Sequence, residues 1–290
     1  MEYVFHILIM LNIYIMLVLS ANLTIGMANL LTMCQAAFYG IGAYIGTFFL
    51  MKFHLPFIVI VAVVSLVTGL FSFLVSYASL KLKGDYFVLA TMGFQLIVYT
   101  ILYNWISLTQ GPYGIPGIPG IRLLGIWELS GVYSYLAVSL VLAVVVILLF
   151  NNLHDSPYGR TLKAIKADEV MVQSMGRDTT VAKSRAFFIS AAVAGVAGVL
   201  YASYVSYIDP TSFTLNESIF IISALFIGGI GNVKGPVFGA LFVVLLPEIL
   251  RFVGLPDAIA ANLRQVIYGL SLVLVVFFRP QGLFGKVVMK

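Results

Sequence analysis

The sequence predicts an all-α polytopic membrane protein, a bundle of about eight to ten transmembrane helices with discontinuous segments, and three observations carry that expectation. Hydrophobic residues make up 61% of the 290-residue chain and charged residues only 9%, against about 25% charged in soluble domains. The mean hydropathy is +1.07. Uncharged apolar runs recur from end to end at about 20 residues, the length a helix needs to cross a hydrocarbon core about 30 Å thick. Together these exclude a soluble enzyme or binding domain and make the lipid bilayer the solvent.

Charge-free stretches place nine candidate spans near residues 3–22, 34–51, 55–80, 86–106, 131–150, 186–207, 217–231, 237–252 and 258–278. The first is not plainly a signal peptide: it exceeds an ordinary signal core, offers no convincing small-residue cleavage site, and has Glu2 where a basic residue is expected. The segment Asn22–Asn29, followed by Thr32 and Gln35, is too polar to face lipid, so it should be broken or enclosed by other helices. The same region leaves open a third short crossing within the first 52 residues. Trp105 and Trp127 flank the 107–128 loop at an expected membrane interface. Within that loop, Gly111–Gly120 is so rich in Gly and Pro that successive turns are expected.

Orientation follows from the basic residues. The longest polar stretch, 152–183, carries Arg160, Lys163, Lys166, Arg177 and Lys183 and is assigned to the cytoplasm. By alternation Lys81, Lys83, Arg185, Lys234, Arg279, Lys286 and Lys290 join it, leaving Lys52, Arg122, Arg251 and Arg264 outside, twelve cations against four. The C-terminus is then cytoplasmic, and nine crossings require an outside N-terminus. The formal charge of +5 reflects this asymmetry and does not indicate a nucleic-acid partner.

Small residues mark where helices approach closely: Ser190, Ala194, Gly198 and Ala202 on one span, Ala36, Gly40, Gly42 and Gly46 on another, read first as seams inside one bundle. Gly26–Asn29 and Gly228–Asn232 interrupt two apolar runs in a similar way and suggest an internal repeat with broken helices. Glu217 and Glu248 fall near span ends and read as capping or interfacial groups rather than a proton relay. No phosphate-loop or catalytic motif occurs, His6, His54 and His154 are far apart, and Cys34 is the single cysteine. Neither an enzyme, a cofactor nor a metal site is expected.

The polar stretch is the most informative. Asp155 or Ser156, with Pro157 behind it, should start a helix. From Thr161 to Met175 one amphipathic helix is expected, with Leu162, Ile165, Val172 and Met175 sharing its apolar face, Gly176 as its stop, and Asp178 or Thr179 opening the next helix. Its mixed charge favours docking of a soluble partner over lying on lipid headgroups.

Ser156-Pro-Tyr-Gly-Arg-Thr-Leu-Lys-Ala-Ile-Lys-Ala-Asp-Glu169, running on to Met175-Gly176, resembles the cytoplasmic coupling loop of branched-chain amino-acid ABC importer permeases of the LivM-like kind. Gln35-Ala-Ala-Phe-Tyr-Gly-Ile-Gly-Ala-Tyr44, Lys83-Gly-Asp-Tyr-Phe87, Gly111-Pro-Tyr-Gly-Ile115, Gly228-Gly-Ile-Gly-Asn232, Gly235-Pro-Val-Phe-Gly239 and Arg279-Pro-Gln-Gly-Leu283 resemble further landmarks in the same order. Met33-Cys34-Gln35 departs from the Leu-Gly-His more usual there. The resemblance implies a single permease domain over 1–290, with 152–184 as coupling loop, in a multi-pass inner-membrane protein. Its implied partners are a second permease subunit, two cytoplasmic ATPase subunits that use the ATP, and an extracytoplasmic binding protein delivering leucine, isoleucine or valine. A urea or amide importer of the same kind, and an ion-coupled carrier or channel, stand as alternatives.

On this reading Gly159, Arg160, Leu162, Lys163, Ala164, Ile165, Asp168, Glu169, Met175 and Gly176 form the ATPase-coupling surface, and a bulky residue at Gly159 or Ala164 should uncouple transport. Asn22, Thr24, Asn29 and Gln35, with Asn232 opposite, are the candidate translocation path, interhelical hydrogen bonding being their other reading. Tyr201, Tyr204 and Tyr207 are candidate gates or interfacial anchors at the outer end.

Overall fold

The structure, a computed structural model, describes residues 2–53, 55–82, 84–122 and 131–252, and scattered positions between 263 and 283. The candidate span at 258–278 therefore lies largely outside the described residues, as does Trp127. Among the described residues apolar sequence becomes helix: α1 (Glu2–Ala21), α2 (Gln35–Phe53), α3 (Phe57–Ser79), α4 (Asp85–Asn104), a single turn α5 (Ile106–Thr109), α6 (Val132–Asp155), α7 (Pro157–Ala167), α8 (Glu169–Ser174), α9 (Thr179–Val205), α10 (Leu215–Gly228) and α11 (Lys234–Phe252). α1 continues without a break into a π-helical turn, Asn22–Met27. Among the described residues six helices, α1 with its extension, α2, α3, α4, α6 and α9, are long and apolar enough to cross a membrane. α10, at 14 residues, spans only about 21 Å, too short to cross alone.

α9 lies at the centre. It is apolar on every side, as a helix surrounded by others must be, and it is the most enclosed of the six long helices, whereas α4 and α6 leave most of their surface for lipid. Small residues let its neighbours approach. A Cβ on Gly42 of α2 would stand 2.3 Å from the backbone of Gly195, and one on Gly198 would stand 2.2 Å from the Tyr39 carbonyl. α2 and α9 are thus parallel helices in backbone contact, and the two small-residue stripes form a seam within the bundle. On another side α3 runs antiparallel to α9, with Thr68 over Gly195 and Gly69 over the Phe188 ring.

Cross-links set the direction of the remaining helices. α1 runs parallel to α6 (Asn12 Nδ2 to Ser139 Oγ, 3.0 Å; Phe5 stacked near Tyr133) and antiparallel to α9 (His6 near Tyr204, and Ser190 Oγ donating to the Ser20 carbonyl at 2.8 Å). It also parallels α10 through Tyr14 and Glu217, and opposes α11 through Tyr3 and Glu248. The α7–α8 end of the bundle therefore collects the C-terminal ends of α1, α3, α6 and α10 and the N-terminal ends of α9 and α11. Two helices, not three, occupy the first 53 residues, joined by an irregular 28–34 link.

At the opposite end the Gly/Pro-rich loop is more ordered than turns alone. Its Ile115–Pro116 strand, β1, pairs antiparallel with Tyr207–Ile208, β2, and Gly117 and Ile118 both donate to the Ser206 carbonyl. Ser206 makes this geometry available by ending α9 in a left-handed conformation, φ +58°. Trp105 closes α4 half-exposed, as an interfacial residue should.

Candidate functional site

Two helix breaks and one cytoplasm-assigned corner meet. The first break follows the π-helical turn. Its Asn22 is buried, and its side chain reaches the second break: Nδ2 donates to the Asn232 carbonyl (2.8 Å) and Oδ1 accepts from the Gly231 amide (3.2 Å). Asn232 in turn caps α11, its Oδ1 accepting from Gly235 N at 2.7 Å. Four small residues bring α10 and α11 together around this point. A Cβ on Gly228 would lie 2.0 Å from the Gly235 carbonyl oxygen, and one on Gly239 would lie 1.9 Å from that of Ala224. Gly229 and Gly231 adopt positive φ between the helices, +107° and +87°, where side chains are strained.

The candidate path residues divide by geometry. Asn22 and Asn232 come together as above. Gln35, buried at the start of α2, donates through Nε2 to Ser20 Oγ and to Ser190 Oγ (3.0 Å), while its Oε1 has no hydrogen-bond partner among the described residues. Ala36 N is taken by Ser218 Oγ at 2.9 Å, so the beginnings of α2 and α10 also touch inside the bundle. Thr24 instead bonds back to the Ala21 carbonyl of its own helix, and Asn29 is exposed at positive φ. Among the described residues neither is hydrogen-bonded through its side chain to Asn22 or Gly231. Tyr201 packs in a ring cluster with Tyr39 and Phe213, Tyr204 meets His6, and Tyr207 donates to the Tyr113 carbonyl, so all three brace the end opposite α7 and α8.

The corner begins where Ser156 caps α7, its Oγ accepting from Gly159 N at 3.0 Å. The expected single amphipathic helix is two. Asp168 adopts an extended conformation and caps α8 through Met171 N, because its carboxylate offers the backbone an alternative to continuing the helix. The bend changes the faces. Leu162, Ile165 and Val172 are buried against the bundle, but Met175 points away, 70% exposed, with Val170 and Met171 beside it at 72% and 58%. Gly176 stops the element at φ +78° and Asp178 caps α9 through Val181 N. A helical period run through Asp168 does not place Val170 and Met171 on the outer face; the bend there does.

Several expected coupling residues hold the corner itself. A Cβ on Gly159 would stand 2.1 Å from the Leu153 carbonyl oxygen of α6, so its hydrogen is required by the turn. Leu162 and Ile165 are inner anchors, and Glu169 forms a 2.6 Å ion pair with Lys183 of α9. Tyr158 Oη donates to the Ala182 carbonyl at 2.7 Å, and its burial pushes the phenol pKa up. Arg160, Lys163, Ala164 and Asp168 are exposed with the apolar trio on the outer surface.

Lys166 turns inward. Its ammonium donates to the Gly26 carbonyl at 2.9 Å, on the first break, and partial burial holds its pKa below the ordinary 10.5. His154, at the end of α6, places Nε2 3.0 Å from the Gly231 carbonyl, on the second. Lys163 contacts His154 from the exposed side through its carbonyl (2.9 Å) and Nδ1 (3.1 Å).

Enclosed polar groups, helices broken inside the bundle and six helices of spanning length among the described residues define a multi-pass membrane protein. The chain belongs to the branched-chain amino acid transport permease family, whose profile, described as branched-chain amino acid transport system / permease component, matches residues 3–276. It is 33% identical to the high-affinity branched-chain amino acid transport system permease protein LivM of Salmonella typhimurium and 32% identical to that of Escherichia coli. Each alignment covers 93% of this chain and 67% of the relative. A probable LivM of Methanocaldococcus jannaschii is 28% identical over 72% of this chain and 62% of its own. No solved structure matches.

Proposed function

We propose that this chain is a permease subunit of an ABC importer that moves leucine, isoleucine or valine delivered by an extracytoplasmic binding protein. A second permease subunit completes the pathway, and two separate ATPase subunits supply the work. The observation that carries this reading is the α7–α8 corner. It is anchored inward by Leu162, Ile165 and Val172, and it presents Val170, Met171 and Met175 among exposed polar residues. Such a surface fits a groove on a soluble partner. The cations at this end, Arg160 and Lys163 on α7, Arg177 after α8 and Arg185 in the first turns of α9, support placing it in the cytoplasm of an inner-membrane protein, with the C-terminus on the same side. The path runs where the beginnings of α2 and α10 meet near Gln35, with the Asn22–Asn232 contact closing its cytoplasmic end. No ligand of this chain is needed for the energy step, ATP being bound by the partners.

The test is reconstitution of the permease pair with its ATPase subunits and binding protein in liposomes. Uptake of labelled leucine, isoleucine or valine that requires ATP on the α7–α8 side supports the reading. Urea uptake in their place would reassign the cargo, and flux through the purified chain without nucleotide would refute the coupling mechanism.

A further inference from the structure

We infer that Lys166 and His154 are positioning residues that tie the coupling corner directly to the two helix breaks, so that displacement of α7 is delivered to Gly26 and Gly231. The inference rests on the ATPase-coupling reading above and specifies how its work enters the bundle.

The contacts form a closed circuit. From α7, Lys166 Nζ donates to Gly26 O (2.9 Å) at the end of the π-helical turn. Asn22, one helical turn earlier, is bonded to Gly231 N and Asn232 O. Gly231 O meets His154 Nε2 (3.0 Å), and His154 is held on its other side by Lys163 of α7, at its carbonyl and Nδ1, and by the neighbouring Asp155 carboxylate, 3.0 Å from Nδ1. A carbonyl oxygen can only accept a hydrogen bond, so Nε2 is the ring nitrogen that donates in this contact. No other part of the corner reaches both breaks by side-chain hydrogen bonds among the described residues.

The chemistry suits transmission. Gly26 lies at the C-terminal end of a long helix, where free carbonyls and the helix dipole favour a cation. Lys166 is half-buried, so its charge is poorly compensated by water and depends on that carbonyl. Gly26 cannot be replaced by a larger residue without displacing Asn22, since its Cβ would fall 2.1 Å from Asn22 Oδ1. A pull on Gly26 is therefore felt at Asn22 and, through it, at Gly231. Packing of Leu162 and Ile165 alone would move α6 and α9 as whole helices; the Lys166 and His154 bonds address the breaks.

The experiment uses the complete reconstituted importer and compares wild type with Lys166→Met, which keeps the length and removes the donor, and Lys166→Arg, which keeps a donor. Three quantities are read: co-purification of the ATPase subunits, ATP hydrolysis, and amino acid imported per ATP. For Lys166→Met the first two should remain while import per ATP falls by about tenfold, the size of one lost charge-assisted hydrogen bond, and Lys166→Arg should restore most of it. An unchanged import ratio overturns the inference. So does loss of ATPase association, which would make Lys166 part of the docking surface and leave the coupling reading standing. Failure of the wild-type chain to associate with ATPase subunits would instead overturn that reading. Should Lys166→Met not survive purification, His154→Ala against His154→Gln, which retains a donor for Gly231, reads the same ratio at the other break, with the same outcomes deciding.

Discussion

Replacing Asn22 by Ala should destabilise the bundle by about 2–4 kcal/mol, and the structure fixes why. The substitution leaves the Gly231 amide and the Asn232 carbonyl without the partners they have at 3.2 and 2.8 Å. Leaving a buried polar group unsatisfied costs about 1–3 kcal/mol, whereas side-chain hydrogen bonds between membrane helices average only about 0.6 kcal/mol when the released groups can find other partners. The larger figure applies here. Both groups are backbone, they are held by the close α10–α11 approach at Gly228 and Gly235, and Asn22 itself is only 2% exposed. Gly26→Ala should be destabilising by about 1–3 kcal/mol from overpacking, because its Cβ collides with the same Asn22 side chain. The double variant must then cost less than the two single ones together, since removing Asn22 removes the collision. Equilibrium unfolding in mixed detergent–denaturant micelles, followed by helicity, measures all three. A loss under about 0.5 kcal/mol for Asn22→Ala, or strict additivity in the double variant, would show that the two breaks do not depend on this contact.

Gly42→Val should force α2 away from α9 by roughly 1 Å or more, from a Cβ–backbone distance of 2.3 Å, and lower the unfolding midpoint more than Gly93→Val, where a Cβ meets nothing within 4 Å; equal midpoints would refute the seam. Met171→Ser with Met175→Ser should weaken ATPase-subunit binding at least tenfold, measured by surface capture, while leaving permease stability within about 0.5 kcal/mol, because both side chains are exposed. Lys166 should lose its proton at a pH below 10.5, readable from the methyl shifts of a dimethylated lysine; because the folded state releases the proton before the unfolded one, rising pH through that window favours the fold at this site. A titration at or above 10.5 would mean that the ammonium is not half-buried against Gly26.

What the sequence determined by itself is whatever short-range chemistry decides. Six of the nine expected spans became helices long enough to cross, Ser156 and Asp178 became caps, Gly176 became a stop, and Gly26–Asn29 and Gly228–Asn232 became breaks, because each depends on a few neighbouring residues. Asp168 had the same local preference for capping, but the apolar period across it suggested continuity, and the resulting bend turned Met175 outward. Only the tertiary structure decided that Gly42 faces Gly195, that Asn22 meets Gly231, and that Lys166, one cation among several on an amphipathic helix, turns in to Gly26. In a membrane every apolar face is equally welcome to lipid, so hydropathy says where a helix is but not which neighbour it takes. That choice is made by backbone approach and hydrogen bonds between residues up to about two hundred positions apart, and no local pattern records it.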